Sequence, residues 1–200
     1  MIKIIDITRS LLKAPLYPGS MTPELHLAAR REQDGFDETI VQASVHTATH
    51  ADAPSHYLPS PVDITEMPLE HYIGACYVLE WTAEAITAEL LRDWIPSGCR
   101  RLLIKGGGQC YFTKEAAEYL IEQRVRTVGT DAWSVGPLDN EAEIHQTFLQ
   151  VPVAILENLD LSQAEEGWYF LSALPLKLDG CEGAFVRAVL LEEILAEEKI

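Results

Sequence analysis

His46-Thr47-Ala48-Thr49-His50-Ala51-Asp52-Ala53-Pro54-Ser55-His56 places three of the chain's six histidines within eleven residues. A helix would bring His46 and His50 onto one face, as in the H-E-x-x-H metal motifs. The β-branched Thr47 and Thr49 and the approaching Pro54 disfavour that helix, so residues 39–50, rich in Thr, Val and Ile, are expected to form a strand. Side chains two apart on a strand share a face, which would align His46, Ala48, His50 and Asp52. The small Ala48 would leave room for a cation between imidazoles and carboxylate. Two imidazoles and a carboxylate suit Zn²⁺ or Mn²⁺, and neither haem nor an iron–sulfur cluster. The competing reading is a solvated polar face, or buried histidines bonded to backbone. Imidazoles crowded on one face would then suppress each other's protonation without any gain.

His56 lies beyond Pro54, outside that alternation, where it could stand over a bound ion. An imidazole titrating near 6.5 can pass protons at neutral pH. The bland alternative is a loop histidine touching water. Downstream, Glu157 ends the apolar run Val151-Pro-Val-Ala-Ile-Leu-Glu157, where packing gives no reason for a carboxylate. His145 comes from a helix just before it. Taken singly, these two read as surface charges; together they would complete a second cation site if the fold brought them to Asp52. Asp131 follows another apolar run and reads better as a loop-capping residue than as a catalytic one.

Further from the histidine stretch, strands are expected at residues 2–7, 75–81, 101–105, 125–128, 151–156, 169–174 and 185–191. Helices are expected at 83–95, at 114–123 and after Asn140, whose following Glu141 and Glu143 suit a helix N-terminus. The result is a mixed α/β fold with a substantial sheet. No repeat, low-complexity stretch or linker interrupts the chain, so one domain over residues 1–200 is expected. Gly106-Gly107-Gly108 lacks both G-x-G-x-x-G and a G-K-[ST] ending, and no G-x-S-x-G elbow occurs. Nucleotide binding and serine hydrolase chemistry are therefore poor readings.

The chain has 200 residues, with a formal charge of −16, which disfavours nucleic acid and anionic membrane as partners. Apolar residues make up 48% and charged residues 23%, the balance of a folded soluble domain. Cys76, Cys99, Cys110 and Cys181 form no C-x-x-C pair and read as reduced structural thiols of a cytoplasmic protein. Lys3 and Asp6 interrupt the apolar start, so neither a signal peptide nor a transmembrane segment is expected.

The histidine stretch resembles the signature of the metal-dependent cyclase family, which includes bacterial kynurenine formamidases and isatin hydrolase. Asp6-Ile-Thr-Arg-Ser-Leu and Tyr17-Pro-Gly19 are similar to that family's opening segment, and Val128-Gly-Thr-Asp131-Ala-Trp-Ser134-Val to its middle motif. Ile155-Leu-Glu157-Asn-Leu-Asp-Leu, Ala173-Leu-Pro-Leu-Lys-Leu-Asp-Gly180 and Gly183-Ala-Phe-Val-Arg187-Ala-Val resemble its closing region. The resemblance implies a swivelling β/β/α domain with a mixed central sheet, assembled as a homodimer or higher homo-oligomer. It implies one ion on His46, His50 and Asp52, with Asp52 bridging to a second on His145 and Glu157. His56 would transfer the proton. The implied activity is metal-dependent hydrolysis of a small amide, such as the aryl formamide N-formylkynurenine or the cyclic amide isatin, by hydroxide generated on Zn²⁺ or Mn²⁺. A non-catalytic metal-stabilised oligomer and a hydrolase or cyclase acting on a lactone or other carbonyl compound are the alternatives. Three positions depart from the family pattern: Ala48 stands where Gly is usual, and Ser20 and Gly136 stand where Asp is common.

Overall fold

The structure is a computed structural model that describes residues 2–192. Chain order begins with β1 (Lys3–Asp6), then β2 (Glu24–Ala29), the one-turn α1 (Arg31–Asp34) and β3 (Glu38–Gln42). β4 (His50–Asp52), β5 (Ile73–Glu80), β6 (Ala85–Ile86), α2 (Ala88–Trp94) and β7 (Arg101–Lys105) follow. Next come β8 (Tyr111–Phe112), α3 (Lys114–Glu122), β9 (Thr127–Thr130) and α4 (Glu141–Leu149). The described chain ends with β10 (Ala154–Glu157), β11 (Gly167–Ser172), β12 (Gly183–Phe185) and β13 (Val189–Glu192).

Nine strands form one mixed sheet in the order β1-β13-β11-β5-β7-β9-β10-β4-β12. The four central strands β5, β7, β9 and β10 run parallel, and every other pairing is antiparallel. β7, β9 and β10 are buried along almost their whole length because helices cover one face and the sheet's own curl covers the other. On the helical face Leu102, Ile104, Val128 and Ile155 pack with Leu91, Leu120 and Phe148. On the other face Leu103 and Leu156 meet Ile5, Ile7, Ala51 and Ala184, drawn from both ends of the strand order. Only Val186–Ala188 separates β12, at one edge, from β13, beside the other. Two edges that close are possible only because the sheet curls back on itself, with Thr8 bridging to Leu159 across the gap.

This is the mixed α/β fold with a large central sheet expected from the sequence, and most elements fall within a few residues of their expected places. Three local readings are corrected. The expected strand 39–50 is two strands joined by a turn, and its first part pairs with β2 as a separate two-stranded hairpin that the sequence reading missed. The expected helix 83–95 begins only at Ala88, because the Thr87 hydroxyl accepts the Leu90 N–H and caps it there, while residues 85–86 pair with β8. The expected strand 185–191 breaks where the chain passes from one sheet edge to the other. Cys76, Cys99 and Cys110 are buried free thiols and Cys181 is a half-buried one. Among the described residues no helix is long and apolar enough to cross a membrane.

Candidate metal centre

β4 lies between β10 and β12, with Asp52 opposite Ile155 and His50 opposite Glu157. The strand alternation therefore holds for His50 and Asp52, and the cross-strand pairing supplies Glu157. It does not hold further back. β4 starts at His50, and His46 and Ala48 lie in the preceding turn, where Ala48 has a φ of 59°. The turn persists because Thr49 is fully engaged: its hydroxyl donates to Asn158 O at 2.6 Å and accepts from Arg9 N at 2.8 Å. Ala48, in the left-handed region, turns the chain so that His46 reaches Asp52 by a route other than the expected shared strand face.

Four elements converge on Asp52. His46 Nδ1 lies 3.0 Å from its Oδ1, His50 Nε2 3.4 Å from the same oxygen, and His145 Nε2, from α4, 3.5 Å from Oδ2. Glu157 Oε1 accepts from Val135 N at 2.8 Å and sits 3.1 Å from His145 Nε2, while its Oε2 lies 3.4 Å from His50 Nε2. The His50 and His145 rings are fixed from behind, each with Nδ1 on a main-chain carbonyl: Ala48 O at 2.8 Å and Glu141 O at 2.9 Å. Two trios, His46–His50–Asp52 and Asp52–His145–Glu157, each hold their donor atoms within 4.8 Å of one another. Despite the short distances, both Asp52 oxygens are buried without a hydrogen bond of acceptable angle. A buried carboxylate is normally satisfied, and lone pairs aimed beside their neighbours rather than at them fit shared cations. The donor set and this orphaned carboxylate together fit divalent metal.

The electrostatics agree. Burial alone would push His50 down, yet the Asp52 and Glu157 carboxylates outweigh it and raise the imidazole to about 9. His145 is likewise raised well above its ordinary value against the pull of burial, by Glu157 and Asp52. Burial would raise Asp52, but His50, His145 and His46 hold it well below the usual carboxylate range. Glu157, disfavoured by burial and by the Asp52 charge, is still held down by His145 and His50. Protons on these imidazoles neutralise carboxylates that a divalent ion could neutralise in their place.

A family model, "Cyclase", matches residues 5–137. The chain belongs to the cyclase family. Among its relatives, kynurenine formamidase of Bacillus cytotoxicus is 30% identical over 93% of this chain and 96% of its own length. Kynurenine formamidase of Salinibacter ruber is 31% identical over 94% and 96%. A solved structure described as a potential metal-dependent hydrolase with cyclase activity superposes with a TM-score of 0.82 at 26% identity, covering 96% of this chain and all of its own. Isatin hydrolase A from Labrenzia aggregata shares the fold, with a TM-score of 0.83 at 21% identity and 95% and 93% coverage.

Around this cyclase-family centre lies a cavity of about 190 Å³. His56, on the single 3₁₀ turn Pro54–His56, faces it with its ring stacked on His46 at 4.1 Å between centroids. Burial, with His46 and His145 adding to it against the opposing Asp52 charge, holds the His56 imidazole below its ordinary value. Tyr57 stacks on His145 at 4.4 Å, and the Tyr57 and Tyr17 hydroxyls both donate to Glu141 Oε1, at 3.1 and 3.0 Å. Tyr57 and Glu141 were missed as site residues, although each carries a local signal: Tyr57 follows His56 directly, and Glu141 precedes His145 by one helical turn.

The family departures have physical counterparts. Ala48 occupies the left-handed region that favours the glycine usual there. A Cβ at Gly136 would come within 2.7 Å of Glu141 Cα, so an aspartate there is incompatible with the close approach of α4. Ser20 lines the cavity. Asp131 does cap a loop, as expected: its carboxylate accepts from the N–H groups of Gly106, Gly107 and Gly108 at 3.0, 2.9 and 3.1 Å.

Proposed function

We propose that this cyclase-family protein is a metal-dependent amidohydrolase whose metal ligands are His46, His50, Asp52, His145 and Glu157, with His56 as its proton-transferring residue. The observation that carries the reading is Asp52, buried between two donor trios with both oxygens unbonded. Three imidazoles and two carboxylates suit Zn²⁺ best, with Mn²⁺ as the alternative, in one or two positions. A divalent ion held by these residues would polarise a carbonyl and bring the pKa of water toward 7.

The chain's own residues supply the rest. Held neutral at pH 7, His56 can take a proton and return it to the departing amide nitrogen from its place in the cavity wall. Tyr17, Tyr57 and Trp133 give the cavity flat walls that suit a planar aromatic ring. An aryl formamide such as N-formylkynurenine is the leading substrate class, as the kynurenine formamidase relatives suggest, and a cyclic amide such as isatin is next. A metal that merely staples an oligomer would have no use for the cavity or for His56 beside it.

Free thiols support a cytoplasmic location, and a homodimer or larger homo-oligomer is supported by exposed Leu25, Leu27, Ile40 and Val41 on the β2–β3 hairpin. One domain over residues 1–200 is supported by a sheet drawing strands from Lys3 to Glu192; residue 1 and residues 193–200 lie outside the described part.

The test is metal analysis of the purified protein, paired with assays on N-formylkynurenine, isatin and a lactone series with and without chelator. Amide hydrolysis that chelator abolishes and Zn²⁺ or Mn²⁺ restores is expected. Turnover of lactones alone, or amide turnover indifferent to chelator, would overturn the proposal.

A further inference from the structure

The three imidazoles of the centre are not oriented alike. His50 and His145 lodge Nδ1 on main-chain carbonyls and present Nε2 to the carboxylates. His46 is reversed: Nδ1 faces Asp52 Oδ1 at 3.0 Å, and Nε2 faces outward to Glu182 Oε1 at 3.3 Å. A neutral imidazole carries one proton, so an Nε2–H donated to Glu182 leaves the Nδ1 lone pair free for a cation. We propose that Glu182 is a positioning residue for the ion held by His46, His50 and Asp52, fixing the His46 tautomer and ring orientation from behind. The proposal rests on the metal-dependent reading of the centre.

The surroundings of the ring fit this role. Glu182 immediately precedes β12, and the bare backbone of Gly183 lies against the imidazole. A Cβ at 183 would stand 2.9 Å from His46 Cε1 and 2.9 Å from Ala51 O, so only glycine lets the ring lie there. His56 covers a ring face, and the Glu182 main chain is tied to β4's exit by Ala53 N donating to Glu182 O at 2.8 Å. Strand pairing thus carries the carboxylate to the one nitrogen of His46 that points away from Asp52.

The other two imidazoles cannot lose their partners by mutation, because those partners are backbone atoms. His46 depends on a side chain. Its own side chain is 23% exposed and that of Glu182 is 43% exposed, so water can replace the carboxylate without enforcing the same tautomer. A carboxylate behind a ligating histidine commonly changes metal affinity by about 10–100-fold. The effect is confined to one trio, since His145 and Glu157 are oriented by Glu141 O and Val135 N.

The experiment titrates metal-stripped wild type, Glu182→Ala, Glu182→Gln, Glu122→Gln and His46→Ala with Zn²⁺ against a chromogenic chelator, and records ¹⁵N spectra of the histidine side chains. Glu122 is exposed at the end of α3 and controls for loss of one negative charge. The ion that His46→Ala abolishes should bind about 10–100-fold more weakly in Glu182→Ala. Glu182→Gln, whose amide oxygen still accepts, should recover part of the loss, and Glu122→Gln should match wild type. In the zinc-loaded protein the His46 Nε2–H signal should lose its hydrogen-bonded shift in Glu182→Ala and keep it in Glu122→Gln. Wild-type affinity in Glu182→Ala, an equal loss in Glu122→Gln, or a His46→Ala protein that keeps every ion would overturn the positioning role. A wild type that binds no ion would bring down the metal reading and this proposal together.

Discussion

The two trios that share Asp52 are built differently. Asp52, His145 and Glu157 come from strand, helix and strand, with side chains 0%, 2% and 6% exposed. The other trio takes His46 from a turn, with that side chain 23% exposed and His56 stacked on it. The centre therefore has a more buried end, set by regular hydrogen-bonded elements, and a more open end set by a loop, and both ends line the cavity. His56 stands at that open end, stacked on His46. The more buried end holds the shared carboxylate in place.

Asp52→Ala attacks both ends at once. It should remove every ion and destabilise the metal-free fold by about 3–5 kcal/mol, because buried His50 and His145 lose their common counter-charge. Metal analysis and denaturant unfolding read this; retention of one ion would show that the trios do not share Asp52. His56→Ala tests the open end alone. Turnover should fall about 10²–10⁴-fold with metal content unchanged, and unchanged turnover would remove His56 from the reaction.

The pH dependence of the metal-free protein comes next in size. His50 is raised from 6.5 to about 9, so its contribution is fully present below pH 6.5 and is lost as pH rises toward 9. That shift is worth about 3 kcal/mol at most. Depressed Asp52 and Glu157 act at the other limb, stabilising above the ordinary carboxylate range and losing effect as acid protonates them. Unfolding midpoints of stripped protein should decline between pH 6.5 and 9, and saturating Zn²⁺ should abolish that decline. Smaller again, Tyr57→Phe leaves Glu141 with one phenol donor and should cost about 1 kcal/mol of stability, read as a lowered unfolding midpoint. Smallest is Ala48→Gly. Relief of a left-handed alanine, about 1–2 kcal/mol, is offset by about 0.5–1 kcal/mol of chain entropy. A thermal midpoint unchanged or slightly raised is expected.

Much of this could be read before any coordinates. The central strands announce themselves because burial on both faces forces runs such as Leu102-Leu103-Ile104. His50 and Asp52 follow from strand alternation. His46 comes beside Asp52 for a reason the alternation did not contain, since only the backbone at Ala48 shows the turn. The partnership of Asp52 with His145 and Glu157 is a matter of β4 pairing with β10, which no local pattern encodes; there the family resemblance supplied what periodicity could not. β2 and its pairing with β3 escaped because Leu25 and Leu27 stay exposed and join no core. Glu182 and Glu141 are ordinary surface acids until the histidines they attend are located.

Ligands of parallel sheets commonly gather beyond the carboxyl ends of the strands. In this molecule Gly106–Gly108 and Asp131, which follow β7 and β9, stand at that rim and answer one another. The amide cradle there is plugged by the protein's own anion, so a phosphate arriving from solvent finds its seat taken. The open rim lies one strand along, at the end of β10, where Glu157 lines the cavity.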